Sequence, residues 1–235
     1  MSKPAGIHLE SVSRHYARST GTVRAVDGIS LQVDAGSTLA VTGPSGCGKS
    51  TLVALMGGLE VPSGGSVAVG AHAISTFPDR HRVRLRRKEF GFVFQSGNLL
   101  PFLTAAENVG LRLVLSGCTD DGLRAAELLR AVGLAQEADK LPDALSGGQR
   151  QRVAVAAALA HSPRIVIADE PTGSLDAVNA VLLMDVLLTV QRDIGATLVV
   201  VTHDPLVAAR MDRTIQLRDG RLVGDTALEP PVPGT

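Results

Sequence analysis

The apolar and polar positions of the chain follow two periods. Residues 7–12 and 26–33 mix apolar with polar positions as half-exposed strands do, and a polar loop is expected between them, from His15 and Tyr16 through Arg24. Ala35-Gly36 turns the chain into residues 37–42, an apolar, β-branched run that reads as a buried strand, and residues 52–56 read as a helix. Gly64-Gly65 closes a turn before a short strand over 66–69, so the opening part is strand-rich, as in an antiparallel layer beside an α/β core. Residues 90–94 form an apolar strand that ends at Gln95. From Thr104 to Lys140 the period becomes helical. Residues 104–115 carry Thr104 as an N-cap with Glu107 three positions on, and 123–132 form a second helix ended by Gly133. This block reads as a helical insert, residues 96–140, between two strand-bearing segments. A helix over 147–160, a buried run over 165–168, a helix over 176–192 and a buried strand over 197–201 follow. Residues 214–217 and 221–223 form a closing hairpin around Asp219-Gly220, and the proline-rich stretch 229–235 is expected to be a disordered tail. No internal repeat is visible.

Composition narrows the class. The 235 residues suffice for one large domain or a domain with an inserted subdomain, and 45% apolar residues is ordinary for a protein with a sizeable core. Lys+Arg and Asp+Glu balance at 23 each, so no nucleic-acid partner is expected. Aromatics are scarce at 3%, with no Trp and one Tyr, which argues against base-stacking platforms. The basic run Arg80, His81, Arg82, Arg84, Arg86, Arg87 and Lys88 reads as a solvated helix face or linker, because the whole chain is neutral. Cys47 and Cys118 lack any metal-ligand spacing and read as free thiols in a reducing compartment. Residues 1–10 lack the apolar core of a signal peptide, and the longest apolar run, 153–160, is too short for a bilayer. A cytoplasmic chain that reaches a membrane only through a partner is expected.

The chemistry centres on Gly43-Pro44-Ser45-Gly46-Cys47-Gly48-Lys49-Ser50-Thr51, which fits the phosphate-binding loop pattern in its strand-to-helix setting. Glycines let the backbone wrap a phosphate, successive N–H groups form an anion nest, and the following helix adds its positive end. Lys49 supplies a charge for the β- and γ-phosphates, and the Ser50 hydroxyl is placed to ligate Mg²⁺. Cys47, at a helix N-terminus beside Lys49, is expected to be a reactive thiolate that nucleotide shields. Asp169, at the end of a buried strand, can reach the same Mg²⁺, and Glu170 is a candidate to polarise the attacking water. His203 ends the next buried strand in the same way. Leu145-Ser146-Gly147-Gly148-Gln149 opens a second helix N-terminus suited to an anion.

These motifs, in the order phosphate loop, Gln95, Leu145 to Gln149, Asp169-Glu170, Ser174-Leu175-Asp176 and His203, resemble the ATP-binding subunits of ABC (ATP-binding cassette) systems over nearly the whole chain. The resemblance implies a P-loop NTPase core of the RecA type, residues 7–95 and 141–228, with an antiparallel β subdomain and the helical insert. It also implies a head-to-tail dimer holding two ATP molecules, each phosphate loop paired with Ser146, Gly147, Gly148 and Gln149 of the other copy. Tyr16 would stack on adenine. Gln95 would link Mg²⁺ and the attacking water to the insert. Glu170 would act as base, His203 would hold the γ-phosphate, and Asp176 would communicate across the dimer. The runs Gly91 to Gln95, Asn98 to Pro101, Glu107-Asn108-Val109 and Ala168 to Gly173 resemble the macrolide-export, lipoprotein-release and cell-division group, whose ATPases serve separate permeases. That group usually carries Arg where this chain has Ala157.

The expected function is therefore an ATPase subunit that drives a transmembrane permease, for export or for lipoprotein or drug extraction, and sits on the inner face of the membrane through that partner. The alternative is a regulatory ATPase signalling across the membrane to cell-wall or division machinery; the same residues serve both. A soluble repair or translation ATPase would call for a long coiled-coil insert or a second cassette, and the sequence has neither. The apolar stretch Asn98 to Leu103 is expected to dock the permease.

Overall fold

The computed structural model describes residues 4–18, 21–95, 98–118, 122–173 and 175–227. In chain order the elements are β1 (Ile7–Arg18), β2 (Gly21–Val33), β3 (Thr38–Thr42), α1 (Lys49–Met56), β4 (Gly64–Val69), α2 (Asp79–Glu89), β5 (Phe90–Val93), α3 (Ala105–Ser116) and α4 (Leu123–Ala131). They continue with α5 (Gly147–Leu159), β6 (Ile165–Asp169), α6 (Ala177–Ile194), β7 (Thr197–Val201), α7 (Pro205–Ala208), β8 (Arg213–Arg218) and β9 (Arg221–Asp225). The chain divides into two compact units, one over 83–198 and the other over 5–82 with the segment from 199 onward. The divisions fall within α2 and β7. The unit that holds α3 and α4 thus also holds β5, β6, α5 and α6, and is larger than the insert expected over 96–140. The expected tail 229–235 lies outside the described residues.

In the unit of 5–82 and 199 onward, β2, β1 and β4 form an antiparallel sheet in that order. Ile7 pairs with Val33 on one side and Val69 on the other. Two expectations are corrected here. The polar residues 15–18 and 21–24 are paired strand, with His15 opposite Arg24 and Tyr16 opposite Val23, because backbone pairing with a neighbouring strand outweighs side-chain polarity. Gly64 and Gly65 open β4 and do not form a turn: Gly64 pairs with Ser13, and Gly65, at φ 79°, lies so close to the Ser11 and Glu10 carbonyls that a Cβ would collide with both. In the same unit β3 runs parallel to β8, and β8 pairs antiparallel with β9. The Asp212 carboxylate accepts from the Thr38 N–H at 2.8 Å and its hydroxyl at 2.9 Å, which pins the start of β3. The paired guanidinium of Arg213 and buried carboxylate of Asp225 join β8 to β9.

In the unit of 83–198, β5 and β6 are parallel, with Val93 opposite Ala168. The interior of α5 is almost wholly buried, a run of Val, Ala and Leu packed on β5, α3 and α4. Thr104 caps α3 through a full capping box: its hydroxyl accepts from the Glu107 N–H, and the Glu107 carboxylate accepts from the Thr104 N–H. The basic segment is helical as α2 and buries none of its residues, in line with a solvated face.

Candidate functional site

The phosphate loop, Tyr16 and His203 belong to one unit; Gln95, Ser146 to Gln149, Asp169, Glu170 and Asp176 belong to the other. Buried β3 leads into the loop. Gly43, Gly46 and Gly48 take φ values of 140°, 77° and 104°. A Cβ on Gly43 would strike the Leu217 carbonyl and one on Gly48 the Ala25 carbonyl, whereas Gly46 faces open space. Lys49 folds back over the loop, and its Nζ donates to the Gly43 carbonyl at 2.8 Å and the Pro44 carbonyl at 2.9 Å. Helix α1 begins with Gly48 as its N-cap, with no side-chain cap and no acidic residue in its first turn. Its leading N–H groups therefore have no partner inside the helix, and phosphate oxygens fit there. Pro44, Ser45 and Ser50 are exposed, and Thr51 is half-buried.

Cys47 departs from expectation. It is 4% exposed, and its sulfur occupies the space beside Gly43 that a Cβ would need. Its N–H donates to the Pro44 carbonyl at 3.3 Å, and its carbonyl accepts from the Gly220 N–H at 3.0 Å. Cys47 is thus a filler that contributes main chain to the loop, and the reactive thiolate expected from sequence is not presented.

Tyr16 is half-buried on β1, with the Arg14 guanidinium carbon 4.8 Å from its ring centroid. His203 is exposed just beyond β7. The backbone on either side of it is fixed: the Thr202 N–H donates to the Val41 carbonyl of β3 at 3.1 Å, and the Asp204 N–H donates to the Thr202 hydroxyl at 3.0 Å. Asp204 then caps α7, a short helix the sequence pattern did not announce.

In the other unit, β5 leads to Gln95 and its parallel neighbour β6 ends at Asp169. Glu170 sits at φ 50°, in the left-handed region, a strain of about 1–3 kcal/mol for such a residue. The Gly173 N–H donates to the Glu170 carbonyl at 3.1 Å. A Cβ on Gly173 would lie 3.3 Å from Gln95 Nε2 and 3.7 Å from Glu170 Cβ, so both side chains flank this glycine. Ser146 caps α5 with a second capping box: its N–H donates to Gln149 Oε1 at 2.8 Å, and its Oγ accepts from the Gln149 N–H at 3.2 Å. The Ser146 hydroxyl proton and the N–H groups of Gly147 and Gly148 remain for an external anion. Asp176 caps α6, accepting from the Asn179 N–H at 2.8 Å and Nδ2 at 2.7 Å, and these bonds hold its carboxyl below the usual range. Leu175 before it lies against Gly148.

The groups that the sequence reading assigned to a divalent ion, the Ser50 hydroxyl in one unit and the Asp169 carboxylate and Gln95 amide oxygen in the other, are hard oxygens of the type that suits Mg²⁺. Among the described residues no group of three or more His, Cys, Asp or Glu could hold a metal by itself.

The ABC transporter family model matches residues 26–173, more than half of the chain. The chain belongs to the ABC transporter family. It is 41% identical over 215 residues to the lipoprotein-releasing system ATP-binding protein LolD of Legionella pneumophila, covering 91% of this chain and 95% of that one. It is 42% identical to LolD of Xanthomonas oryzae pv. oryzae, covering 93% and 90%. The macrolide export ATP-binding/permease protein MacB of Hyphomonas neptunium is 41% identical over 95% of this chain, but the chain spans only 35% of that relative's length. Among solved structures, a dimeric post-hydrolysis state of the ATP-binding cassette MJ0796 bound to ADP and Pi matches with a TM-score of 0.90 at 37% identity, over 95% of this chain and 99% of that one. A second dimeric structure of MJ0796, a bacterial ABC transporter cassette, matches with the same TM-score at 38% identity and the same coverage. The fold is that of an ABC ATPase cassette, the α/β class with an antiparallel sheet that the sequence pattern implied.

The sequence reading of this cassette missed two side chains. Gln151 is 2% exposed, and its Nε2 donates at 3.1 Å to the carbonyl of Phe94, the residue before Gln95. The signal was an amide at the head of a helix otherwise buried through Val, Ala and Leu. Asn108, also buried, binds Leu100, Leu103 and Thr104 through four backbone hydrogen bonds. Ala157 is buried in α5, and nothing around it explains the absent Arg.

Proposed function

We propose that this chain is the ATP-binding and ATP-hydrolysing subunit of an ABC transporter, driving separate permease subunits for export or for lipoprotein or drug extraction. The phosphate loop is the observation that carries the reading: Lys49 is folded over positive-φ glycines at the head of an uncapped helix, in a chain of the ABC transporter family. Residues 7–228 form the cassette, with the nucleotide core over 7–95 and 141–228 and a helical subdomain over 96–140. ATP binds with its phosphates on Gly43 to Thr51, Lys49 against the β- and γ-phosphates, and adenine on Tyr16. Ser50, Gln95 and Asp169 would hold Mg²⁺, which when bound neutralises charge on the phosphates. Glu170 takes the proton of the attacking water as its oxygen bonds the γ-phosphorus and the bond to the ADP oxygen breaks. His203 holds the γ-phosphate. Ser146, Gly147, Gly148 and Gln149 of a second copy close the site, with Asp176 relaying between the copies. Among the described residues no helix is long and apolar enough to cross a membrane. The chain would sit on the inner face of the membrane through its permease; the words for export and lipoprotein release in the names of the MacB and LolD relatives favour transport over the regulatory alternative.

Phosphate release by the full chain with ATP and Mg²⁺ tests this against Lys49→Ala. The parent turns over and the variant loses ATP binding. A parent that releases no phosphate, or a variant that binds ATP equally well, overturns the assignment.

A further inference from the structure

The buried bond from Gln151 to Phe94 has no part in the mechanism above, yet it joins two of that mechanism's pieces. Gln151 lies in the second turn of α5, whose first turn is the Ser146 to Gln149 cap. Its side chain is 2% exposed, so its amide must find partners within the protein. The partner it finds is the Phe94 carbonyl at 3.1 Å, at the point where β5 has ended and Gln95 begins. Phe94 is half-buried, and the Gln151 amide supplies a fixed donor to its carbonyl directly before Gln95. One residue on, the Gln95 amide lies against Gly173, whose N–H donates to the Glu170 carbonyl at 3.1 Å. A chain of contacts thus runs from α5 through Gln151 and Phe94 to Gln95, and by way of Gly173 to the Glu170 backbone, all within one unit.

We propose that Gln151 is a positioning residue for hydrolysis: its amide ties α5, which carries the anion-binding cap, to the backbone that sets Gln95 against Gly173, in the turn that begins at Glu170. The proposal rests on the ATPase reading. A polar side chain is required at this depth because only a donor can hold the carbonyl, and Met, of similar length, can fill the volume without donating.

The test uses the full chain with ATP and Mg²⁺ in single-turnover and steady-state hydrolysis. Gln151→Met is expected to lower kcat about tenfold, the worth of one buried hydrogen bond, with ATP affinity changed by less than about twofold. Gln151→Glu supplies a second readout. Its carboxylate repels the Phe94 carbonyl, but its protonated form donates to it, so the rate relative to Gln151→Met should rise as pH falls from 8 toward 6. In a Gln95→Ala background the Gln151→Met loss should shrink to less than about twofold, because the group being positioned is gone. A loss of the same size in both backgrounds, or a drop in ATP affinity matching the drop in rate, makes Gln151 a packing residue only and overturns the proposal. If Gln151→Met does not fold, the Gln151→Glu pH profile decides, and a profile parallel to the parent overturns it. A parent chain that does not hydrolyse ATP at all refutes the ATPase reading instead, and is recognised before any variant is compared.

Discussion

At the scale of single residues, burial decides chemistry that residue type only suggests. Cys47 has the neighbours of an activated thiol, but its sulfur is packed against Gly43, while Cys118 is exposed. A maleimide should therefore label Cys118 in the native chain and leave Cys47 unmodified until denaturant is added, with or without ATP. Rapid native labelling at Cys47, read by peptide mass, would restore the reactive-thiol reading. His161 is the second case. Its Nε2–H donates to the Phe90 carbonyl at 3.1 Å, and its buried Nδ1 has no partner. Burial, then the charge of Arg112, push its pKa down to about 4 despite the carbonyl. The folded pKa lies below the unfolded one, so between about 6.5 and 4 the unfolded chain binds more protons and stability is lost as pH falls. Urea unfolding at pH 7 and pH 5 should show His161 contributing a loss of about 2 kcal/mol that His161→Gln removes. Equal pH dependence of parent and variant would show that His161 titrates normally. The sequence showed no reason to single out this histidine, because the carbonyl it meets lies 71 residues away.

At the scale of elements, local signals were the most legible. Thr104 with Glu107, and Ser146 with Gln149, form capping boxes because the interacting groups lie within one turn. The turn before α3 was half legible. Its apolar residues were read as a docking patch or as core, and the structure separates them: Phe102 is 71% exposed and Leu100 only 36%. The backbone is held by the Asn108 carboxamide, so the loop keeps its shape without Phe102. Phe102→Asp should shift stability by less than about 0.5 kcal/mol, leave soluble ATPase activity intact, and abolish binding and stimulation by the permease. Normal permease binding by this variant would remove the loop from the docking surface. The pairing of residues 15–18 with 21–24 was not legible, since these polar residues are held by a partner strand.

At the scale of the whole molecule, hydrolysis and association are expected to be linked. Glu170→Gln should slow ATP hydrolysis at least about 100-fold while ATP still binds, because only the proton acceptor is lost. Unhydrolysed ATP then favours the closed pair of cassettes by mass action, so gel filtration with ATP and Mg²⁺ should show a dimer for the variant and not for the parent. Turnover at the parental rate, or no shift in elution, would remove Glu170 from the role of base or ATP from the role of bridge. The sequence by itself determined the family, the order of most of the strands and helices, and the phosphate loop with its flanking strand and helix. Those depend on residue type and on spacings of a few positions, which local sterics and helix capping translate directly into structure. Only the tertiary structure decided that Cys47 is filler, that Glu170 takes a left-handed backbone, that Gln95 lies against Gly173, and that Gln151 holds Phe94. Each of these depends on which groups exclude water from one another across long stretches of chain, and neither composition nor period carries that information.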